Sequence, residues 1–138
     1  MRLPVVIACV LGGNQFYCSA PPTAVVFESC SGTTVRVVVA SGPVPITSWS
    51  PSCGMSRLIV YPDTGLSALW TVYGNAGSSE NPIRSGVRYG QTPDDARTVA
   101  GPERLQRGVT YRVELSRLMC DQGAPCSLVP VGSARFQP

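Results

Sequence analysis

Residues 109–118 read Val109-Thr110-Tyr111-Arg112-Val113-Glu114-Leu115-Ser116-Arg117-Leu118. Val109, Tyr111, Val113 and Leu115 alternate with Thr110, Arg112, Glu114 and Ser116. In an extended chain successive side chains point to opposite faces, so this period of two makes one face apolar and the other polar. The pattern predicts a half-buried β-strand over 109–118.

The same reading extends outward in both directions. Ala24–Glu28 and Thr33–Ala40 are rich in β-branched residues and flank Ser31-Gly32, a hairpin turn signal. Ser41–Pro45 cannot continue a central strand, because Pro43 and Pro45 lack the N–H that a ladder needs. Further strands are predicted over Met55–Tyr61, stopped by Pro62–Gly65, then Ser67–Tyr73 and Ile83–Tyr89, with a short edge strand over Ser133–Pro138. Residues 74–82, 90–97 and 119–130 read as loops. Gly and Pro number 14 and 13 of 138 residues, which disfavours long helices, and Gly101-Pro102 interrupts the one stretch that could hold a helical turn. The expected fold is all-β: an antiparallel, immunoglobulin-like sandwich of about seven to eight strands over residues 21–138, with a barrel as the structural alternative.

One local motif sharpens the fold. Leu105-Gln106-Arg107-Gly108-Val109-Thr110-Tyr111, running into the alternating strand, resembles the E–F corner of fibronectin type III and related immunoglobulin-like domains. The resemblance implies a tyrosine corner, in which Tyr111 packs into the core and its hydroxyl bonds backbone upstream, near Leu105. It also implies that Trp70 occupies the strand C position between the sheets. No Cys–Trp–Cys spacing of the antibody type is present. A wider set, Leu69-Trp70, then Ile83 to Pro93 with Tyr89-Gly90-Gln91-Thr92-Pro93, then Tyr111-Arg112-Val113, resembles small proteobacterial lipoproteins of unassigned function. That resemblance covers about half the chain and carries no activity with it.

Composition narrows the chemistry. Asp, Glu, Lys and Arg make up 14% of the chain, and the net charge of +3 is too small for an electrostatic nucleic-acid binder. There is no His, and every basic residue is Arg. The commonest general base and the amine nucleophile are therefore missing, as are Ser–His–Asp and Cys–His sites and zinc sites containing His. The expectation is a non-enzymatic protein without a cofactor. No apolar run reaches the length of a membrane-spanning helix, so membrane association is expected only through a lipid anchor.

The N-terminus speaks to compartment. Arg2 precedes the apolar stretch Leu3–Gly13, which fits the core of a secretory signal, and Val6-Ile7-Ala8-Cys9 resembles a bacterial lipobox with Cys9 as the lipidated residue. Cleavage after Ala20 and a retained N-terminal strand are the rival readings. Residues 1–20 are thus read as an export leader or lipoprotein signal with a short linker. Of the cysteines at 9, 18, 30, 53, 120 and 126, no two form a Cys-x-x-Cys pair. An even count in a small exported chain reads as disulfides. The favoured pairs are Cys120–Cys126, closing a short loop, and Cys30–Cys53; buried free thiols in a cytoplasmic protein are the alternative.

Two charged sets are candidate sites. Arg84, Arg88 and Arg112 fall on the polar sides of their predicted strands and could recognise carboxylate or phosphate groups through the guanidinium fork. Asp94 and Asp95, with Glu103 nearby, could offer oxygen ligands to a cation, although adjacent acids more often solvate a loop. The expected function is an exported binding or scaffolding module with a protein or glycan partner at the bacterial cell envelope, in the periplasm, on the outer membrane or outside the cell. The rivals are a subunit that self-associates through the apolar edge strands Val25–Phe27 and Val35–Val39, and a carboxylate-dependent hydrolase.

Overall fold

A computed structural model describes residues 9–12, 15–18, 30, 34–75, 81–120 and 123–138. Strands β1 (Cys9–Gly12) and β2 (Gln15–Cys18) pair antiparallel, with Cys9 opposite Cys18 in register. The other eight strands form two antiparallel sheets. The smaller holds β3 (Arg36–Ala40), β4 (Ile46–Ser50) and β7 (Val87–Arg88), in the order β3-β4-β7. The larger holds β5 (Arg57–Pro62), β6 (Trp70–Gly74), β8 (Ala96–Ala100), β9 (Tyr111–Met119) and β10 (Ser127–Phe136), in the order β10-β9-β5-β6-β8. No helix occurs among the described residues. The chain is a β-sandwich.

The alternation read from 109–118 sets the central strand. Tyr111, Val113 and Leu115 are 4%, 0% and 0% exposed and point between the sheets. On β5, Leu58 and Val60 do the same; on β6, Trp70 and Val72; from the smaller sheet come Trp49 and Val87. These residues form one core cluster. Burying each aliphatic side chain of this kind contributes about 1.5–3 kcal/mol, so the apolar stripe on each strand is what selects the register.

The order β10-β9-β5-β6 follows the G-F-C-C′ order of immunoglobulin-like sandwiches, with β3, β4 and β7 as the opposing sheet. The addition is β8, which lies between β7 and β9 in sequence and extends the larger sheet beyond β6. The sheets also meet at one margin: the Val35 N–H donates to the Val131 carbonyl at 2.9 Å. Gly132 permits this approach, because a Cβ there would sit 2.8 Å from Val35 and Val37 side-chain atoms.

Both disulfides are formed. Cys30–Cys53 ties a residue N-terminal to β3 to the segment after β4 across 23 positions, and Cys120–Cys126 closes the β9–β10 connection across six. In the first, the buried cysteines belong to the core cluster.

Several boundaries differ from the sequence reading. Strand β9 begins at Tyr111, and Val109 is 37% exposed, because Gly108 at φ 79° turns the chain just before it. The expected strand over Ile83–Tyr89 reduces to Val87–Arg88 plus a single bridge from Ile83 to Met55. The C-terminal edge strand is longer than expected and starts at Ser127, inside what reads as a loop. Strands β4 and β8 were not expected, and Ala24–Glu28 lies outside the described residues.

Candidate binding groove

The chain changes sheets between β7 and β8. After Arg88 it turns at Tyr89-Gly90, where Gly90 has φ 79° and the Gln91 N–H donates to the Arg88 carbonyl at 3.1 Å. It then returns through residues 91–95 to begin β8 in the larger sheet. Between the outgoing arm, 82–88, and the returning arm, 91–95, lies a groove of about 520 Å³. That is within the size range of small-ligand sites. Arg84 and Arg88 line it from the outgoing arm, and Gln91, Pro93, Asp94 and Asp95 from the returning arm.

Hydrogen bonds hold both arms. Gly86 N–H donates to Thr47 O at 3.1 Å and Tyr89 N–H to Pro45 O at 2.9 Å, fixing the outgoing arm to the smaller sheet. Asn75 N–H donates to Asp95 O at 2.8 Å, and the Thr92 and Thr98 hydroxyls share a bond of 2.8 Å, fixing the returning arm to the larger. Asn81 clamps the near end: its side-chain amide donates to Leu118 O at 3.2 Å and its side-chain oxygen accepts from Leu118 N–H at 2.7 Å. Asp95 adopts φ 55°, a left-handed conformation that Asp tolerates better than most residues.

The charges in the groove are exposed and opposed. Among the described residues the ion pairs are Arg57–Glu114 at 3.5 Å and Arg135–Asp63 at 2.6 Å, so none of the four groove charges is engaged there. Two arginines on one arm and two aspartates on the other line the groove, a formal sum of 2 − 2 = 0. Ser85, in the same segment, is not available as a nucleophile: its Oγ accepts from Trp49 N–H at 2.8 Å and donates to Trp49 O at 3.3 Å.

The sequence reading grouped the arginines differently. Arg112 does not join Arg84 and Arg88: it lies on β9 in the larger sheet, with its guanidinium 5.1 Å from the centre of the Tyr61 ring. All three point outward, but alternation only assigns a face within a strand; pairing decides which sheet the strand joins. Glu103 is likewise separate from Asp94 and Asp95, and among the described residues no cluster of His, Cys, Asp and Glu could hold a metal ion. Tyr89, Gly90 and Gln91 belong to the Tyr89–Pro93 element quoted above and were not assigned to a site, although Gly after an aromatic and before a polar run is a turn signal.

A second groove is lined by Leu105 of the corner and by Tyr89. The Tyr111 hydroxyl accepts from the Gln106 N–H at 2.8 Å, and the Tyr111 ring packs 5.8 Å from Phe136. Leu105 is half-buried against the core. Trp70, 1% exposed, opens β6 rather than β5, which is the strand beside β9. The inward positions of β5 belong to Leu58 and Val60, and the indole fills the space beside Tyr89, ring centres 5.1 Å apart and edge to face. Tyr89 donates its hydroxyl to Glu103 O at 2.7 Å and is one wall of a groove of about 980 Å³ that also takes in Val44, Pro102, Leu105 and Arg107. Burial, with the Glu103 charge added, pushes the Tyr89 hydroxyl pKa up to about 12. Compared with protein-family models, with curated proteins and with solved structures, the chain finds no match.

Proposed function

We propose that this chain is an exported, non-catalytic immunoglobulin-like module that binds or scaffolds at the bacterial cell envelope, anchored there by a lipid on Cys9. The observation that carries the binding role is the groove between 82–88 and 91–95, where a hydrogen-bonded backbone presents four charges of both signs to solvent. Binding there costs side-chain ordering but little backbone ordering. Export is supported by the two disulfides, which persist in oxidising compartments. The lipid anchor is supported by the resemblance of Val6-Ile7-Ala8-Cys9 to a lipobox.

The test is co-sedimentation of the purified chain with isolated bacterial envelopes, every protein carrying Cys9→Ser so that a lipid on Cys9 cannot sediment it. The chain with its groove unchanged should sediment, the Arg84→Gln/Arg88→Gln variant should remain in the supernatant, and Arg104→Gln/Arg107→Gln, at the other groove, should behave as the unchanged chain. Sedimentation that ignores the first pair would overturn the assignment. For the anchor, Cys9→Ser should release the protein from membranes in cells without altering its thermal melt; a variant that stays membrane-bound removes lipidation at Cys9.

A second reading, polymerisation through edge strands, is favoured by Val38 and Val99, which are 52% and 51% exposed on the edge strands β3 and β8. Each strand also carries an exposed arginine, Arg36 or Arg97, a device that discourages edge pairing. Light scattering after size exclusion separates the two: a monomer supports the module, and large assemblies support the polymer. Val25–Phe27, the other expected edge, lies outside the described residues.

A further inference from the structure

The four groove charges restrict what can bind there. A ligand that is only anionic meets Asp94 and Asp95 as well as the two arginines. One that is only cationic meets Arg84 and Arg88 as well as the two aspartates. Either gains from one arm and loses to the other, because like charges brought together cost what opposite charges gain. A ligand carrying both signs, spaced to match the arms, gains from all four.

The chemistry of each arm narrows the ligand further. Guanidinium groups take carboxylates or phosphates through paired N–H donors. Carboxylates on the other arm suit a group that donates several hydrogen bonds, which a primary ammonium does with its three N–H bonds. Between the charges, Gln91 offers both an amide donor and an amide acceptor, the complement of a peptide unit. The two arms are hydrogen-bonded to different sheets, so the separation of their backbones is held by the sandwich.

We propose that this groove binds a short peptide-class zwitterion, its carboxylate on Arg84 and Arg88 and its ammonium on Asp94 and Asp95. This rests on reading the groove as the module's binding site, and it adds the ligand class. The alternative source of the same paired charges is a zwitterionic lipid headgroup, in which a phosphate replaces the carboxylate.

The experiment is NMR titration of the ¹⁵N-labelled full chain with diglycine, triglycine and tetraglycine. Each is also added as its Nα-acetyl form, which lacks the ammonium, and as its C-terminal amide, which lacks the carboxylate. Shifts confined to residues 82–95, with one length binding best and its capped forms about tenfold weaker, are expected; tenfold is the scale of one charge-assisted contact. Arg84→Gln/Arg88→Gln should erase the difference between that peptide and its amide while keeping the effect of acetylation. Asp94→Asn/Asp95→Asn should do the converse, and Asn at position 95 keeps a residue that tolerates the left-handed backbone. The dispersion of the remaining amide signals reports whether each variant is folded.

Three results would overturn the inference: no shifts in 82–95 with any peptide, capped forms binding as well as the zwitterion, or glycerophosphoethanolamine binding more tightly than every peptide. Envelope co-sedimentation that survives such a result leaves the binding module standing and removes only the ligand class. Loss of groove-dependent sedimentation removes the module reading itself.

Discussion

Substituting Tyr111 tests the corner and the register of the central strand together. In Tyr111→Phe the ring keeps its place against Phe136, and only the acceptor for the Gln106 N–H at 2.8 Å is lost. Gln106 is exposed, so water can reach the freed donor, and the cost should be about 1 kcal/mol, the scale of one net hydrogen bond. Tyr111→Ala removes a ring that is 4% exposed and opens a cavity in the core beside Phe136, which should cost about 3–5 kcal/mol. Arg112→Ala removes a guanidinium lying over the Tyr61 ring on the outer face and should cost about 0.5–1 kcal/mol. Equilibrium urea melts measure all three. With a slope near 2 kcal/mol per molar, the midpoints should fall by about 0.5 M for Phe and about 2 M for Ala at 111. Amide exchange at Gln106 should quicken in Tyr111→Phe. Arg112→Ala as damaging as Tyr111→Ala would place β9 in the opposite register and refute the reasoning, as would a Phe variant with an unchanged midpoint and unchanged Gln106 exchange.

Other consequences can be checked in the same preparations. Gly101→Ala should prevent folding or lower the melting temperature severely, because a Cβ there would overlap the Leu69 carbonyl oxygen and the backbone sits at φ 68°; a wild-type melt would contradict the packing of β8 against β6. Replacing Cys120 and Cys126 by Ser should cost about 2 kcal/mol and replacing Cys30 and Cys53 about 3.5 kcal/mol on loop entropy alone, the second pair losing buried packing as well; urea melts in which the order reverses would sink this account. Tyr89 should ionise near pH 12 in a spectrophotometric titration, with Tyr89→Phe removing that step. Its folded pKa is raised, so the stability it contributes is complete below about pH 10, its unfolded value, and is lost as pH rises through about 12. Thermal melts in which wild type and Tyr89→Phe respond alike between pH 9 and pH 12, values chosen to bracket that window, would contradict the burial of its hydroxyl.

The residues differ in how much they disclosed. Val113 and Leu115, alternating with Arg112, Glu114 and Ser116, state their orientation through period two, and burial of that face follows wherever the strand lies. Tyr111 was legible because Leu105, Gly108 and Tyr111 act within one stretch of chain: the hydroxyl bonds a backbone group only five residues away. The Cys120–Cys126 loop is local in the same sense. Strand β4 was not legible, because its inward residues are Thr47, 6% exposed, and Trp49, while Ile46 alternates with them on the side of Ser48 and Ser50; with Thr inward and Ile outward the strand has no apolar period. Strand β8 was hidden for the opposite reason. Ala96–Ala100 is an edge with Val99 facing solvent, so its composition is that of a loop, and it is a strand because β6 offers it an unpaired edge.

By itself the sequence determined the all-β class, the inward face of the central strand, the tyrosine corner and the chemistries without a His or Lys. Those follow from period, local turn chemistry and composition, which act over a few residues. Only the tertiary structure decided that Arg84, Arg88, Asp94 and Asp95 line one groove while Arg112 lies on β9 of the larger sheet. Alternation says which side of a strand a residue takes. Which strands become neighbours depends on pairings between distant residues, such as β6 with β8 and β4 with β7, and those are set by the joint burial of one core.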